Sequence, residues 1–446
     1  MKKEALPKKP YITRGGIHVP HKKNTAAMQT VIMPPPRSVV LPMVQHIGAP
    51  CIPVVKPGQR ILVGEVIGDS EAFVCAPIHA SVSGTVKEIG SLLMPNGASV
   101  ETVVIESDGL MEHKEYSSPA VGSSEELLRA VRASGLVGLG GAGFPTHVKL
   151  RVPPDREIDT LIINGAECEP YITSDHHEIV ENSWGVMSGI YAVKELLGVR
   201  RVIIGIESNK PDAIELLKNM TENEKYDYKD EIRVLTLKAL YPQGAEKMLI
   251  KACTGRAVPP GKLPSDVGCV VMNITSVSFL AQYLKTGMPL VSKRITLDGS
   301  AIKNPQTVIV PIGTQIKDII EFCGGYSEPP KKIIYGGPMM GLALSDDSLP
   351  VLKQTNAILA FGEKEAEIPE ADPCIRCGRC IDNCPMSLMP VCLSASADNC
   401  DIEKLRKYDV MTCIECGSCS YICPAHRHLL QSIRTGKQLF KEKTGR

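Results

Sequence analysis

Cys374-Ile375-Arg376-Cys377-Gly378-Arg379-Cys380-Ile381-Asp382-Asn383-Cys384-Pro385 is followed further on by Cys413-Ile414-Glu415-Cys416-Gly417-Ser418-Cys419-Ser420-Tyr421-Ile422-Cys423-Pro424. Both read C-x2-C-x2-C-x3-C-P. A [4Fe–4S] cube needs four thiolates at tetrahedral corners. Three cysteines at i, i+3 and i+6 wrap three irons, and the fourth thiolate arrives from elsewhere. A structural zinc site would want two C-x2-C pairs, without the third cysteine or the Cys-Pro ending. The pattern therefore predicts two cubes and a protein that moves single electrons.

The run resembles that of two-cluster ferredoxins, where the fourth ligand is swapped between copies. On that resemblance Cys374, Cys377 and Cys380 pair with Cys423, and Cys413, Cys416 and Cys419 with Cys384. At 446 residues the chain holds about three domains or more by size alone. A net charge of +1 offers no broad basic field for nucleic acid. Sixteen cysteines in a secreted, disulfide-bonded protein would come with a signal peptide, and Met1-Lys2-Lys3-Glu4-Ala5-Leu6 lacks the apolar core of one. No run of apolar residues is long enough to span a bilayer. A reducing cytoplasm is the expected compartment. Cys51, Cys75, Cys168, Cys253, Cys269, Cys323, Cys392 and Cys400 have no ligand spacing and read as small buried hydrophobes.

Six segments follow from pattern. Residues 1–30, rich in Lys, Pro and Gly, read as an extended arm. In residues 31–115 short β-type runs such as Arg60–Gly68 and Ser81–Ile89 alternate with Gly and Pro turns, an all-β module. Its phrases Val55-Lys56-Pro57-Gly58 and Ser83-Gly84-Thr85-Val86 resemble a lipoyl or biotinyl carrier barrel-sandwich, without the modifiable lysine. Residues 120–290 switch to strand–helix alternation. The helices run over Glu125–Ser134 and Trp184–Leu197, the apolar strands over Thr160–Asn164 and Arg201–Ile206. That grammar predicts a parallel α/β sheet with ligands at its strand carboxyl ends. Residues 295–362 read as a β-grasp unit. Residues 366–430, with a helix over Ile402–Met411 between the cysteine motifs, read as a helical two-cluster ferredoxin domain. Residues 431–446 form a basic amphipathic tail, suited to anionic lipid or an acidic partner, or simply a solvated end helix. The fold class is multidomain α and β: a barrel-sandwich, a Rossmann-like α/β domain, a β-grasp unit and a helical two-cluster domain.

The second rich segment is Gly135-Leu136-Val137-Gly138-Leu139-Gly140-Gly141-Ala142-Gly143-Phe144-Pro145-Thr146. Glycines let backbone amides approach a flat ring or phosphate where a Cβ would clash. The segment resembles the flavin-binding loop, Gly-Arg-Gly-Gly-Ala-Gly-Phe-Pro-Thr, of the NADH-oxidising flavoprotein subunit of respiratory complex I. Asn164-Gly165-Ala166-Glu167-Cys168-Glu169-Pro170 and Tyr241-Pro242-Gln243-Gly244-Ala245-Glu246 resemble two further motifs of that family. Leu139, Ala166 and Ala245 depart from its Arg, Asp and Glu, so the electrostatics around a flavin need not match. The amino-terminal module and Gly15-Gly16-Ile17-His18 have no counterpart there. They resemble instead the C subunits of the Rnf complex, the membrane-bound ferredoxin:NAD oxidoreductase, over nearly the whole chain.

That resemblance implies that Gly138, Gly140, Gly141 and Gly143 cradle FMN, and that Lys149, Asn164 and Glu167 fix its ring edge or phosphate. Asn273 and Thr275 would be further phosphate contacts. Glu169 and Glu246 would take nicotinamide and ribose hydroxyls of NAD(H), with Phe144 and Tyr241 stacking on the rings. No side chain need act as nucleophile or general base. Membrane subunits of the Rnf complex and a ferredoxin-type subunit are the implied partners, with this chain peripheral on the cytoplasmic face. Two rivals stand beside it: a soluble cobalamin reductase and a non-catalytic electron-wiring scaffold. His176-His177 read as surface residues. His426 and His428 read either as cluster hydrogen-bond donors or as part of a plain turn.

Overall fold

The computed structural model describes residues 6–222 and 231–445. Met1–Ala5 and Arg446, the outer ends of the expected arm and tail, lie outside them.

The first module contains β1 (Val31–Ile32), β2 (Ser38–Pro42), β3 (Ile52–Pro53), β4 (Arg60–Ile61), β5 (Val66–Asp69), β6 (Ile78–His79), β7 (Gly84–Leu93) and β8 (Ser99–Ser107). Two antiparallel sheets, ordered β2-β8-β7-β4 and β3-β5-β6, make the barrel-sandwich. Val39, Leu41, Val86, Val103 and Ile105 line its interior at 0% exposure. Their alternation along the strands is the signature of sheets with one buried face. Val31–Ile32, expected to open this module, pairs elsewhere.

The central domain holds α1 (Ser124–Ala133), α2 (Thr146–Leu150), β9 (Thr160–Gly165), α3 (Ser174–Glu181), α4 (Ser183–Leu197), β10 (Arg201–Glu207), α5 (Pro211–Thr221), β11 (Ile232–Leu237), α6 (Glu246–Thr254), β12 (Cys269–Asn273) and α7 (Ile274–Thr286). α1 starts where Ser123 accepts a hydrogen bond from Glu126 N, with Glu125 and Glu126 on its first turn. The sheet runs β11-β10-β9-β12 with all neighbours parallel. Leu161–Ile163 and Val202–Ile204 are fully buried, as strands covered on both faces must be. Strand order reverses between β9 and β12. In an open parallel sheet that reversal leaves a crevice beyond the carboxyl ends of the strands. Asn164 and Asn273, facing each other in register, sit at its lip.

The third unit adds β13 (Ser292–Asp298), β14 (Gln306–Pro311), α8 (Ile316–Phe322), β15 (Lys332–Tyr335), β16 (Leu342–Leu344) and β17 (Ala357–Phe361). With β1 it forms a mixed six-stranded sheet, β1-β14-β13-β17-β15-β16. Thus the end of the arm is a strand of the third unit. The last unit is helical: α9 (Glu363–Ala366), α10 (Arg379–Asp382), α11 (Pro390–Asp398), α12 (Ile402–Lys407), α13 (Ser418–Tyr421) and α14 (Leu429–Thr444). The expected basic amphipathic tail is mostly α14, an end helix. Its apolar face, Leu429, Ile433 and Phe440, packs on Leu393 and Leu405 of α11 and α12. A sixteen-residue amphipathic helix is more stable with that stripe covered.

Residues 6–30 are extended, as expected, but bound along their length. Tyr11 N donates to Ala252 O at 2.8 Å, and Gly16 N to Asn383 O at 3.0 Å. Ile17 pairs with Tyr241. The Lys23 ammonium donates to the carbonyls of Glu167, Glu169 and Ile172 at 2.9, 2.9 and 2.5 Å. The arm is a strap across the central and cysteine-bearing domains.

Candidate functional site

The glycine segment closes on itself. Gly138 N donates to Phe144 O at 2.9 Å and Thr146 N to Leu136 O at 3.2 Å. The tip, Gly140-Gly141-Ala142, is exposed. Two buried contacts hold its near side: Leu139 N donates to Ser276 Oγ, and Lys293 Nζ to Leu139 O, each at 3.0 Å. Burial lowers the Lys293 pKa to about 8. A Cβ on Gly140 would stand 2.3 Å from Asn273 Nδ2, so the loop can lie on the lip of the crevice only with glycine there. A Cβ on Gly141 would meet nothing within 4 Å. The face of the tip at that residue is free of protein atoms, as a loop that carries a flat ring must be. Leu139 is 2% exposed, so the residue replacing the complex I arginine is a core side chain.

Polar groups gather around the crevice. Asn273 caps α7 by accepting from Ser276 N, and its Nδ2 donates to Asp175 Oδ2 at 2.7 Å. Thr275 Oγ1 donates to the other Asp175 oxygen at 2.6 Å. Burial, aided by the Glu167 charge, pushes the Asp175 pKa up to about 6. Lys149 on α2 pairs with Glu246 on the first turn of α6 at 2.8 Å and donates to Val271 O at 3.0 Å. Both are about one-third exposed. Asn164 Nδ2 donates to Gly244 O at 2.9 Å, tying the end of β9 to the loop before α6. The Glu167 carboxylate accepts from Asp175 N at 2.7 Å and His176 N at 3.3 Å, at the amino end of α3. Phe144 is half-buried at the base of the loop.

Three expectations are corrected. Tyr241 is 1% exposed, so its ring cannot stack on a nucleotide. It packs with Ile17, Val19 and Cys416, and its hydroxyl donates to Cys416 O at 2.6 Å. Glu169 does not present a free carboxylate. It accepts from Met339 N at 3.0 Å and Met340 N at 2.9 Å, and burial pushes its pKa up to about 7. His176 and His177 are buried, not surface residues. Their rings do diverge as adjacent helical side chains must: His176 meets Asp212 of α5 at 2.8 Å, while His177 meets Thr25 O of the strap at 3.0 Å. Sequence reasoning also missed Asp175, Lys293 and Lys23. Asp175 beside two histidines was the one visible hint; the lysines carried no local signal.

The cysteine motifs share one backbone. Residues with φ near 57° stand at Arg376 and Glu415, and glycines with φ 77° and 78° at Gly378 and Gly417. Glycine is favoured at such a left-handed position. Cys384, Cys413, Cys416 and Cys419 line one apolar cavity with Met386, Leu393 and Ile433. Burial and the thiols of Cys416, Cys413 and Cys384 push the Cys419 pKa up to about 12. Around the first motif, burial raises the Cys380 pKa, and Cys423 and Cys374 add to the rise. Both groupings fit the swapped ligand sets and the soft thiolate donors an iron–sulfur cube requires. His426 and His428 are exposed, and His426 closes a turn onto Cys423 O. Cys400 is exposed and Cys168 and Cys392 half-buried, unlike the buried hydrophobes expected. Cys51, Cys75, Cys253, Cys269 and Cys323 are buried.

A glycine loop on the switch point of a parallel sheet, joined to paired cysteine motifs, belongs to the class of flavin and iron–sulfur electron-transfer proteins. Sequence-family profiles match the RnfC barrel sandwich hybrid domain over residues 12–110 and the Nuo51 FMN-binding domain over 131–282. They also match the SLBB domain over 294–343 and the 4Fe-4S dicluster domain over 367–431. The C subunit of the proton-translocating ferredoxin:NAD(+) oxidoreductase complex of Clostridium ljungdahlii is 44% identical, the match covering 94% of this chain and 92% of that protein. The Na(+)-translocating counterpart of Acetobacterium woodii is 43% identical, over 95% and 96% respectively. The chain belongs to this family of Rnf-complex C subunits. An air-oxidised NAD+-reducing [NiFe]-hydrogenase structure matches with TM-score 0.50 at 19% identity. That match spans 72% of this chain and 64% of the hydrogenase chain, a likeness of fold alone. Among the described residues no helix is long and apolar enough to cross a membrane.

Proposed function

We propose that this chain is the NAD(H)-reacting subunit of an ion-translocating ferredoxin:NAD oxidoreductase, binding FMN in the crevice and two [4Fe–4S] clusters on its cysteine motifs. It would sit peripherally on the cytoplasmic face of the cell membrane, beside membrane subunits and a ferredoxin-type subunit. The observation that carries the reading is the exposed glycine tip lying on Asn273 at the β9/β12 switch point. FMN bound there supplies the conversion between hydride and single-electron chemistry, and the clusters supply one-electron capacity. The residues position and shield. Gly140, Gly141 and Ala142 offer backbone without side-chain obstruction, while Gly138 and Gly143 shape the turn. Asn273 and Thr275, held by Asp175, present the amino end of α7 to a phosphate. Lys149 supplies a cation at the rim. Glu246 is the carboxylate suited to a nucleotide ribose, favouring NAD over NADP because a 2′-phosphate would be repelled. Glu167 and Asn164 shape the loop after β9, and Glu169 is assigned to support rather than to nucleotide contact.

A cobalamin reductase is disfavoured by the barrel-sandwich module and by the family match. The scaffold reading rests on Ala166 and Ala245, and the retained Lys149–Glu246 pair weighs against it. Anaerobically purified protein should hold non-covalent FMN whose absorbance bleaches with NADH and much less with NADPH. Absence of flavin, or a flavin left oxidised by NADH, would reject the proposal.

A further inference from the structure

The barrel-sandwich holds a cluster that the flavin and iron–sulfur chemistry does not use. His46, Cys51 and Cys75, all buried, come from two loops: the first two from the β2–β3 connection and Cys75 from the β5–β6 connection. The two sulfurs lie 3.5 Å apart, with His46 Nε2 at 3.6 Å from Cys75 Sγ and 3.8 Å from Cys51 Sγ. A tetrahedral ion with metal–sulfur bonds of about 2.3 Å and metal–nitrogen bonds of about 2.0–2.1 Å sets edges of about 3.8 Å for S···S and about 3.6 Å for S···N. The observed triangle is within a few tenths of an ångström of one face of that tetrahedron.

We propose that His46, Cys51 and Cys75 form a binding site for a thiophilic d10 cation, Zn2+ being the ion to test. Two soft sulfurs and an imidazole are the donor set such ions select. Among the described residues no fourth His, Cys, Asp or Glu joins the group, so a fourth position is left to water or another small donor. Binding forms two metal–sulfur bonds and one metal–nitrogen bond. Two thiol protons go to solvent, and no electron is transferred. The His46 Nε2 lone pair, which accepts from Ala76 N at 3.1 Å, passes to the metal. His46 Nδ1, 3.2 Å from Ile47 O, can keep its proton on that carbonyl, a partner of the kind that orients metal-bound imidazoles.

The position gives the site a purpose. The next residue, Ile47, donates its N–H to Gly143 O of the glycine loop at 3.2 Å. From the far side Lys353 Nζ donates to Pro77 O at 2.6 Å and Gly135 O at 2.8 Å. An ion joining residues 46, 51 and 75 would clip together the loops that back the glycine segment.

The test uses the full chain, purified anaerobically with its clusters, loaded with Zn2+ and dialysed. The expected result is about one zinc per chain in addition to the iron, with a zinc K-edge spectrum fitted by two sulfurs near 2.3 Å and at least one light-atom donor. The Cys51→Ser/Cys75→Ser variant should hold no zinc while keeping its iron and flavin. Should that variant fail to fold, the wild-type spectrum decides alone. Wild-type protein without zinc, zinc in an all-nitrogen and oxygen shell, or zinc retained at wild-type level in the variant would overturn the proposal. So would a Cys51–Cys75 disulfide, found by mass spectrometry in the anaerobic protein. None of these outcomes depends on NADH chemistry.

Discussion

The two cysteine motifs differ in what lies over them, not in how they are folded. Their left-handed residues match in pairs, Arg376 with Glu415, Gly378 with Gly417, and Ser387 with His426. Yet Cys374 and Cys377 are exposed, whereas Cys416 and Cys419 are 8% and 9% exposed. Ile17 and Val19 of the strap and the Tyr241 ring cover the second motif, and Met339 O presses on Gly417. Local spacing fixes the loop; distant chain decides how far solvent reaches it. For a redox centre, solvent access is one of the quantities that sets potential and lability.

The hardest test of this contrast is ligand removal. Wild-type protein should carry about eight irons, and Cys384→Ala and Cys423→Ala should each lose about four. The resonance lost in Cys384→Ala should belong to the second triad, and that lost in Cys423→Ala to the first. The reverse assignment by electron paramagnetic resonance would break the swapped pairing. A chelator challenge of the wild type should bleach the first motif's cluster well before the second's. Equal rates would mean burial does not separate them.

Replacing Gly141 with Trp isolates the flavin from both motifs. Its Cβ meets no protein atom, so the substitution should expel FMN while leaving iron content unchanged and the melting temperature equal to that of flavin-stripped wild type. Flavin retained at full stoichiometry would place it elsewhere.

The two glutamates sharpen the comparison further. Glu246→Gln removes a charged partner at the rim, costing roughly 1.5–3 kcal/mol, or about ten- to a hundredfold in NADH affinity. It should also relax discrimination against NADPH and spare both clusters. Glu169→Gln should barely move nucleotide affinity, because that carboxylate serves Met339 and Met340 in the bed of the second motif. Its signature is pH. A carboxyl raised from 4.5 to about 7 favours the folded chain below that range and loses this contribution as pH rises through it, since the unfolded chain sheds its proton first. Thermal melts of Glu169→Gln should therefore fall less steeply than wild type between pH 5 and 8, about the interval in which linkage acts. An identical slope would refute the assignment. The smallest effect belongs to Tyr241→Phe, which deletes one hydrogen bond to Cys416 O, worth about 1 kcal/mol. Selective labilisation of the second cluster is the readout.

What the sequence revealed and hid follows the same division. Cysteine spacing, the glycine segment and the apolar runs of β9 and β10 are short-range patterns, and each marked its element directly. Helices α1 and α4 lie within a residue of their expected limits. The errors lie where a residue's fate depends on chain far away. Tyr241 sits in a motif that resembled a nucleotide contact, but the strap and Cys416 close over it. His176 and His177 are buried because α5 and residue 25 lie against α3. Val31–Ile32 looked like part of its neighbours and pairs instead with a strand that begins at residue 306. Cys51 and Cys75 showed no ligand spacing because two loops, not one, bring them together with His46.

The strap has a consequence for how the molecule is made. Residues 11–25 leave the ribosome early, but Gly16 bonds to Asn383, and Gly15 lies so close to Cys384 that a Cβ would stand 2.6 Å from its carbonyl. That docking surface is synthesised more than three hundred residues later. The strap can dock first on Ala252, Tyr241 and Ile172 of the central domain, but its contacts at Gly15 and Gly16 close only on a carboxy-terminal domain already in shape.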